Sequence, residues 1–109
     1  MKQSDSVYLA HILDAIHQIE IYTAGLDYDQ FLEIRLVQDG VIRQLEIIGE
    51  ASRNLSVDFQ TQHPETPWPA IISLRNRLIH AYFEVNLGVV WDILQNDIPS
   101  LKRNVIHWL

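Results

Sequence analysis

Apolar residues recur at steps of three and four along most of this chain. Leu9, Ile12, Ile16 and Ile19 form one such stripe, with His11, Asp14 and Gln18 on another face. That is the pattern of an amphipathic helix. Ser4 or Ser6 is placed to cap it and Gly25 to stop it. A second helix is predicted from about Asp27, with Gln30 as the third residue of a capping box. Its apolar stripe runs through Ile34, Val37, Val41, Leu45, Ile48 and Leu55. Gly40 and Gly49 lie inside it, each costing on the order of 1 kcal/mol against Ala. They point to a closely packed neighbour or a bend. Ser56 to Gln62 reads as one short helical turn, and His63 to Pro69 as a loop, because its three prolines cannot continue a helix. Thr66 and Pro67 read as the cap and first position of the next helix, which carries Ile71, Ile72, Leu74, Leu78 and Ile79. Asn86 caps a last helix with Leu87, Val90, Trp91, Leu94 and Ile98 on its buried face. Pro99 kinks that helix or restarts it through Leu101, Val105 and Trp108. No strand alternation or repeat is visible. The pattern predicts an all-α fold, an antiparallel bundle of four to five helices formed by one domain spanning residues 1–109.

Composition narrows the class without naming a function. At 109 residues with 48% hydrophobic and 20% charged side chains, the chain can bury its own core. It has no cysteine, which excludes disulfides and thiolate metal sites. The first residues lack the apolar core of a signal peptide, and no apolar run is long enough to span a membrane. A cytoplasmic protein is the expectation. The net charge of −6 argues against broad phosphate neutralisation, yet Arg75 with Arg77, and Lys102 with Arg103, leave small basic spots on an acidic body.

Asp39, Arg43, Glu46, Glu50 and Arg53 make a charged stripe on the second helix. It reads either as a solvated face of mutual ion pairs or as a support that orients the side chains of the following segment.

That segment, Arg75-Asn76-Arg77-Leu78-Ile79-His80-Ala81-Tyr82, places a guanidinium, an amide, an imidazole and a phenol close together. On a helix, Asn76 and His80 share a face, as do Arg75 and Tyr82. Arg75 and His80 stand about 140° apart and would flank a groove. Such a set suits RNA cleavage. An imidazole titrating near neutrality can take the 2′-hydroxyl proton, and a fixed guanidinium can hold the charge that grows on phosphorus. Asn76 can hold a non-bridging oxygen or fix the His80 tautomer. No metal or cofactor is called for: H-E-x-x-H is absent, and His11 with Asp14 is a lone pair. The same spacing also fits a His80 bonded to a nearby carbonyl, an Arg75 paired with Glu46 or Glu50, and a Tyr82 serving the core.

The motif resembles the R-N-x3-H-x-Y core of the HepT-like branch of the HEPN superfamily. Three further landmarks occur in the same order: Val41-Ile42-Arg43-Gln44-Leu45-Glu46-Ile47-Ile48-Gly49-Glu50-Ala51, Pro67-Trp68, and the run from Val90 to Pro99. Gly40 departs from the pattern, standing where a small helix former such as Ala is expected. The resemblance implies a ribonuclease toxin of the HepT/MntA (HEPN/MNT) type II or type VII toxin–antitoxin kind. It implies a symmetric homodimer whose motifs meet across the interface, with Arg75, His80 and Asn76 catalytic. Arg77, Glu46, Glu50 and Arg43 would support the site. It also implies a minimal nucleotidyltransferase antitoxin that transfers AMP to Tyr82. The apolar side chains on the second and last helices, including Trp91 and Trp108, suggest more buried face than one small bundle can absorb, which agrees with a dimer. Two other classes fit the residues: a non-catalytic module that docks a nucleotidyltransferase or a nucleotide, and a dimeric helical adaptor.

Overall fold

The structure is a computed structural model. It describes residues 1–80 and 86–109, with the side chains of Arg75, Arg77, Ile79 and His80 outside the description. The described residues form helices and short connections, without strands. Helix α1 spans Gln3–Thr23, α2 Tyr28–Glu33, α3 Arg35–Asn54, α4 Val57–Gln62, α5 Trp68–His80, α6 Leu87–Asp92 and α7 Ile98–Trp108. A π-helical stretch, Ile93–Asp97, joins α6 to α7.

The contacts give an up-and-down order. Asp5 near the start of α1 bonds Ser56 just beyond α3, and the Tyr22 ring near the end of α1 lies against Gly40 near the start of α3. These two helices are therefore antiparallel. Helix α5 starts beside α4, with the Trp68 ring edge-on to Phe59, and runs back along α3. Helix α6 starts beside α2, where Trp91 meets Phe31 at 5.2 Å, and α7 ends at the other pole, where Trp108 meets Phe59 and Trp68. Four long rods result: α1, α3, α5 and the α6–α7 helix. Their shared core is apolar, with Leu9, Ile12, Ile16, Phe31, Val41 and Val105 fully buried.

Several local expectations need correction. Neither Ser4 nor Ser6 caps α1: the helix begins at Gln3, Lys2 holds the cap position, and no side chain bonds the first turn. The predicted second helix is two helices. The Asp27–Gln30 capping box is present, but it serves the six-residue α2, and the chain breaks at Ile34, which adopts extended backbone angles. Ile34 consequently leaves the apolar stripe and is exposed. The proline segment ends earlier than read: α5 already includes Trp68 and Pro69. Pro tolerates a first turn because its missing N–H is unneeded there. Pro67 stands just before the helix, its carbonyl accepting from the Ile71 N–H.

Other local readings hold. The short helical turn read from Ser56 to Gln62 is α4, and Asn86 caps α6 through its side-chain oxygen. Gly25, at φ +74°, closes the exit from α1 in the left-handed region that favours glycine. Trp91 and Trp108 are half-buried against Phe31, Tyr28, Phe59, His63 and Trp68 of the same protomer. They are thus not the surplus apolar surface that suggested a dimer.

Candidate functional site

The motif helix owes its position to its apolar side. Trp68 (2% exposed) and Leu78 (4% exposed) anchor the two ends of α5 in the core. The Trp68 indole N–H donates to the His63 carbonyl at 3.1 Å, which fixes the entry of the helix. Between them, Ile71 and Leu74 pack on the cluster around Leu45 and Ile48 of α3. Asn76, two residues before Leu78 and so about 200° away, is exposed. Arg75, Asn76, Arg77 and His80 therefore occupy the last two turns of α5, at the pole of the bundle where α2, the start of α3 and the start of α6 come together. Tyr82, the residue expected to accept AMP, lies outside the described residues.

The charged stripe divides. Arg43 reaches Glu46 at 3.3 Å, Arg53 approaches Glu50 at 3.9 Å, and Arg35 approaches Asp39 at 3.7 Å, each within α3 or its first turn. The ion-pair reading is therefore present. Solvent-exposed pairs of this kind contribute about 0–1 kcal/mol, so stability is a weak reason for the stripe. Arg43, Glu46 and Glu50 also share a groove with Tyr8 and His11 of α1. The sequence shows His11 on a polar helix face and as a lone pair with Asp14, and does not connect it or Tyr8 with Arg43, Glu46 and Glu50. The three-residue spacing of Tyr8 and His11 on α1 was the available signal.

The antiparallel order sets the level of these groups. Leu45 and Ile48 line the same cavity as Ala70, Ile71 and Leu74. Two residues back along α3 from Leu45 is Arg43, and two residues forward along α5 from Leu74 is Asn76. At about 1.5 Å rise per residue, the two stand at similar heights in the bundle.

The family model described as Ribonuclease HepT-like matches residues 12–107. The chain belongs to the HepT-like ribonuclease family. Among its relatives is a Thermococcus cleftensis protein named "Probable ribonuclease HepT", 48% identical over 102 residues, covering 94% of this chain and 93% of that one. A Methanocaldococcus jannaschii protein named as a gamma-glutamylcyclotransferase and "putative RNase" is 41% identical over 106 residues, covering 97% of this chain but 48% of that one. A shorter protein of the same organism, named a "putative RNase", is 38% identical over 104 residues, or 95% of each chain. No solved structure matches. The HepT-like match contains all four landmarks read from the sequence, from the Val41–Ala51 run to the Val90–Pro99 run. Among the described residues no helix is long and apolar enough to cross a membrane.

Proposed function

We propose that this HepT-like chain is a cytoplasmic, metal-independent endoribonuclease that acts as the toxin of a toxin–antitoxin pair. One observation carries the reading: a chain of this family, with relatives named as ribonucleases, carries Arg75, Asn76 and His80 on the closing turns of one helix. His80 takes the 2′-hydroxyl proton of RNA, and the 2′-oxygen attacks the adjacent phosphorus in line. The Arg75 guanidinium receives the charge on the non-bridging oxygens. Asn76 holds one of those oxygens. The P–O5′ bond breaks, and the leaving 5′-oxygen takes a proton from an imidazolium. The products are a 2′,3′-cyclic phosphate and a 5′-hydroxyl end. Arg77, Arg43, Glu46 and Glu50 support the site.

The active form is a homodimer, with two motifs lining one slot. Leu32, Ile34, Leu36 and Val89 support this, since they remain exposed at the pole where α5 ends. A minimal nucleotidyltransferase antitoxin silences the enzyme. The Tyr82 oxygen bonds to the α-phosphorus of ATP and pyrophosphate leaves. The resulting ester sets bulk and negative charge beside Arg75 and His80.

Unmodified protein should cut RNA in EDTA and leave 2′,3′-cyclic phosphate ends. His80→Ala should lose about 10²–10⁴-fold of that activity, and Arg75→Ala about 10²–10³-fold. Intact mass of protein made with the antitoxin should rise by one AMP per chain, and Tyr82→Phe should abolish the rise. RNA left whole by unmodified wild-type protein, or cut equally well by His80→Ala, would overturn the catalytic assignment and favour a non-catalytic binding module.

A further inference from the structure

The groove between α1 and α3 carries chemistry of its own. Its floor is apolar, formed by Ile47 and the buried Ala51. Its walls are polar. Tyr8 and His11 meet edge to face on the α1 side, with ring centroids 6.0 Å apart and planes at 86°. Glu46 and Glu50 stand on the α3 side, and Glu46 is the more enclosed, its side chain 18% exposed against 45%. Arg43, at 68% exposed, sits at the rim and points its charge to Glu46 at 3.3 Å. The space is about 190 Å³. That is below the roughly 300 Å³ at which pockets for whole small molecules begin, and it suits one flat ring.

From this arrangement we infer that the groove is a base subsite for the RNA strand, selective for guanine. The inference rests on the ribonuclease reading for its biological meaning, though not for its chemistry. An apolar floor and an imidazole edge accept the face of a base, an interaction open to every base. Carboxylates discriminate, because they only accept hydrogen bonds when ionised. Guanine alone among the four bases presents two adjacent N–H donors, N1–H and N2–H, spaced to meet both oxygens of one carboxylate. Uracil offers a single N–H between two carbonyls, which a carboxylate repels. The enclosed acceptor is Glu46 and the exposed cation is Arg43, so the base faces inward while the phosphate stays at the rim. The acidic walls oppose entry of the backbone itself, which keeps the strand oriented with its phosphates toward the solvent. Arg43 stands at about the height of Asn76 along the bundle.

The test separates binding from cleavage. Methyl and ring signals of Ile47, Ala51 and His11 are followed by NMR while guanosine monophosphate or uridine monophosphate is added to the His80→Ala protein. Guanosine monophosphate should move these signals and bind about tenfold more tightly than uridine monophosphate, in line with one good bidentate contact. Glu46→Gln should remove the preference without changing the melting temperature, and His11→Ala should weaken both nucleotides alike. Equal affinity for the two nucleotides, or shifts confined to residues outside the groove, would overturn the base subsite. Groove binding by guanosine monophosphate in a protein that cuts no RNA would sink the ribonuclease reading and leave the subsite standing.

Discussion

Asp5 shows how one side chain can tie distant segments together. It is 1% exposed, and both of its carboxylate oxygens are used: Oδ1 accepts the Ser56 N–H at 2.7 Å and Oδ2 accepts the Ser56 hydroxyl at 2.8 Å. The same Ser56 oxygen accepts the Phe59 N–H at 3.1 Å and so caps α4. Burial by itself pushes the Asp5 carboxyl up. The hydrogen bonds from Ser56 and the Lys2 backbone, with the Lys2 charge, outweigh it and hold the group below its ordinary value. A carboxyl whose folded value is depressed stabilises the fold fully above its unfolded pKa of about 3.9, and loses that contribution as pH falls through the lower folded value. Asp5→Ala should therefore cost about 1.5–3 kcal/mol at pH 7, the range for hydrogen bonds to a charged group. The gap in melting temperature between variant and wild type should narrow as pH drops below about 4. Melting curves from pH 7 to pH 2 measure this, and a gap that is constant or widens toward acid would contradict it.

The elements show where sequence periodicity succeeds and where it stops. Caps are local, so Asp27 with Gln30 and Asn86 were legible from a few residues each. The Asp5–Ser56 tie joins residues 51 apart, and no local pattern encodes it. The break at Ile34 was hidden because an apolar residue continued the stripe across a junction that the backbone interrupts. Pro99 was read as a kink or restart, and the structure gives a third outcome. The π-helical turn, in which the Ile98 N–H reaches the Ile93 carbonyl, widens the helix just before the proline. That widening accommodates a residue with no N–H, whose ring would clash with the preceding turn of a regular α-helix. That Arg75, Asn76 and His80 share one helix was legible from the apolar spacing around them. The α1–α3 groove was not, since Tyr8 and His11 come from another helix than Arg43, Glu46 and Glu50. Gly40 also becomes intelligible at this scale. A Cβ there would lie 3.1 Å from two carbons of the Tyr22 ring, so the glycine lets α1 approach α3. Gly40→Ala gains up to about 1 kcal/mol of helix propensity. It must displace a half-buried ring by a few tenths of an ångström, so its net effect should stay within about 1 kcal/mol. Gly40→Leu cannot be absorbed in this way and should destabilise by about 1–3 kcal/mol. Chemical denaturation of both variants checks the contrast, and equal stability of the two would show that Tyr22 does not limit the approach.

For the whole molecule, the proposed activity asks how a chain of net charge −6 would present a cationic site to a polyanion. A single copy offers a small basic spot on an acidic body. Two copies joined pole to pole would bring two Arg75–His80 sets to one slot and keep the acidic flanks outside. The side chains suited to such a joint are Leu36 at 84% exposed, Val89 at 51%, Leu32 at 42% and Ile34 at 37%. Like net charges oppose the association, so the joint depends on apolar contact and should strengthen as salt screens the repulsion. Leu36→Glu tests the arrangement cleanly. Leu36 packs little within its own protomer, so the change should leave stability within about 0.5 kcal/mol. It adds a charge to the joint and should raise the dimer dissociation constant by tenfold or more, the equivalent of about 1.4 kcal/mol. Light scattering at micromolar concentration reads the mass, and the same samples are assayed on RNA. Activity should fall in step with the dimer fraction. A wild-type protein that stays monomeric while cutting RNA, or a monomeric Leu36→Glu variant of full activity, would mean that each protomer holds a complete site of its own.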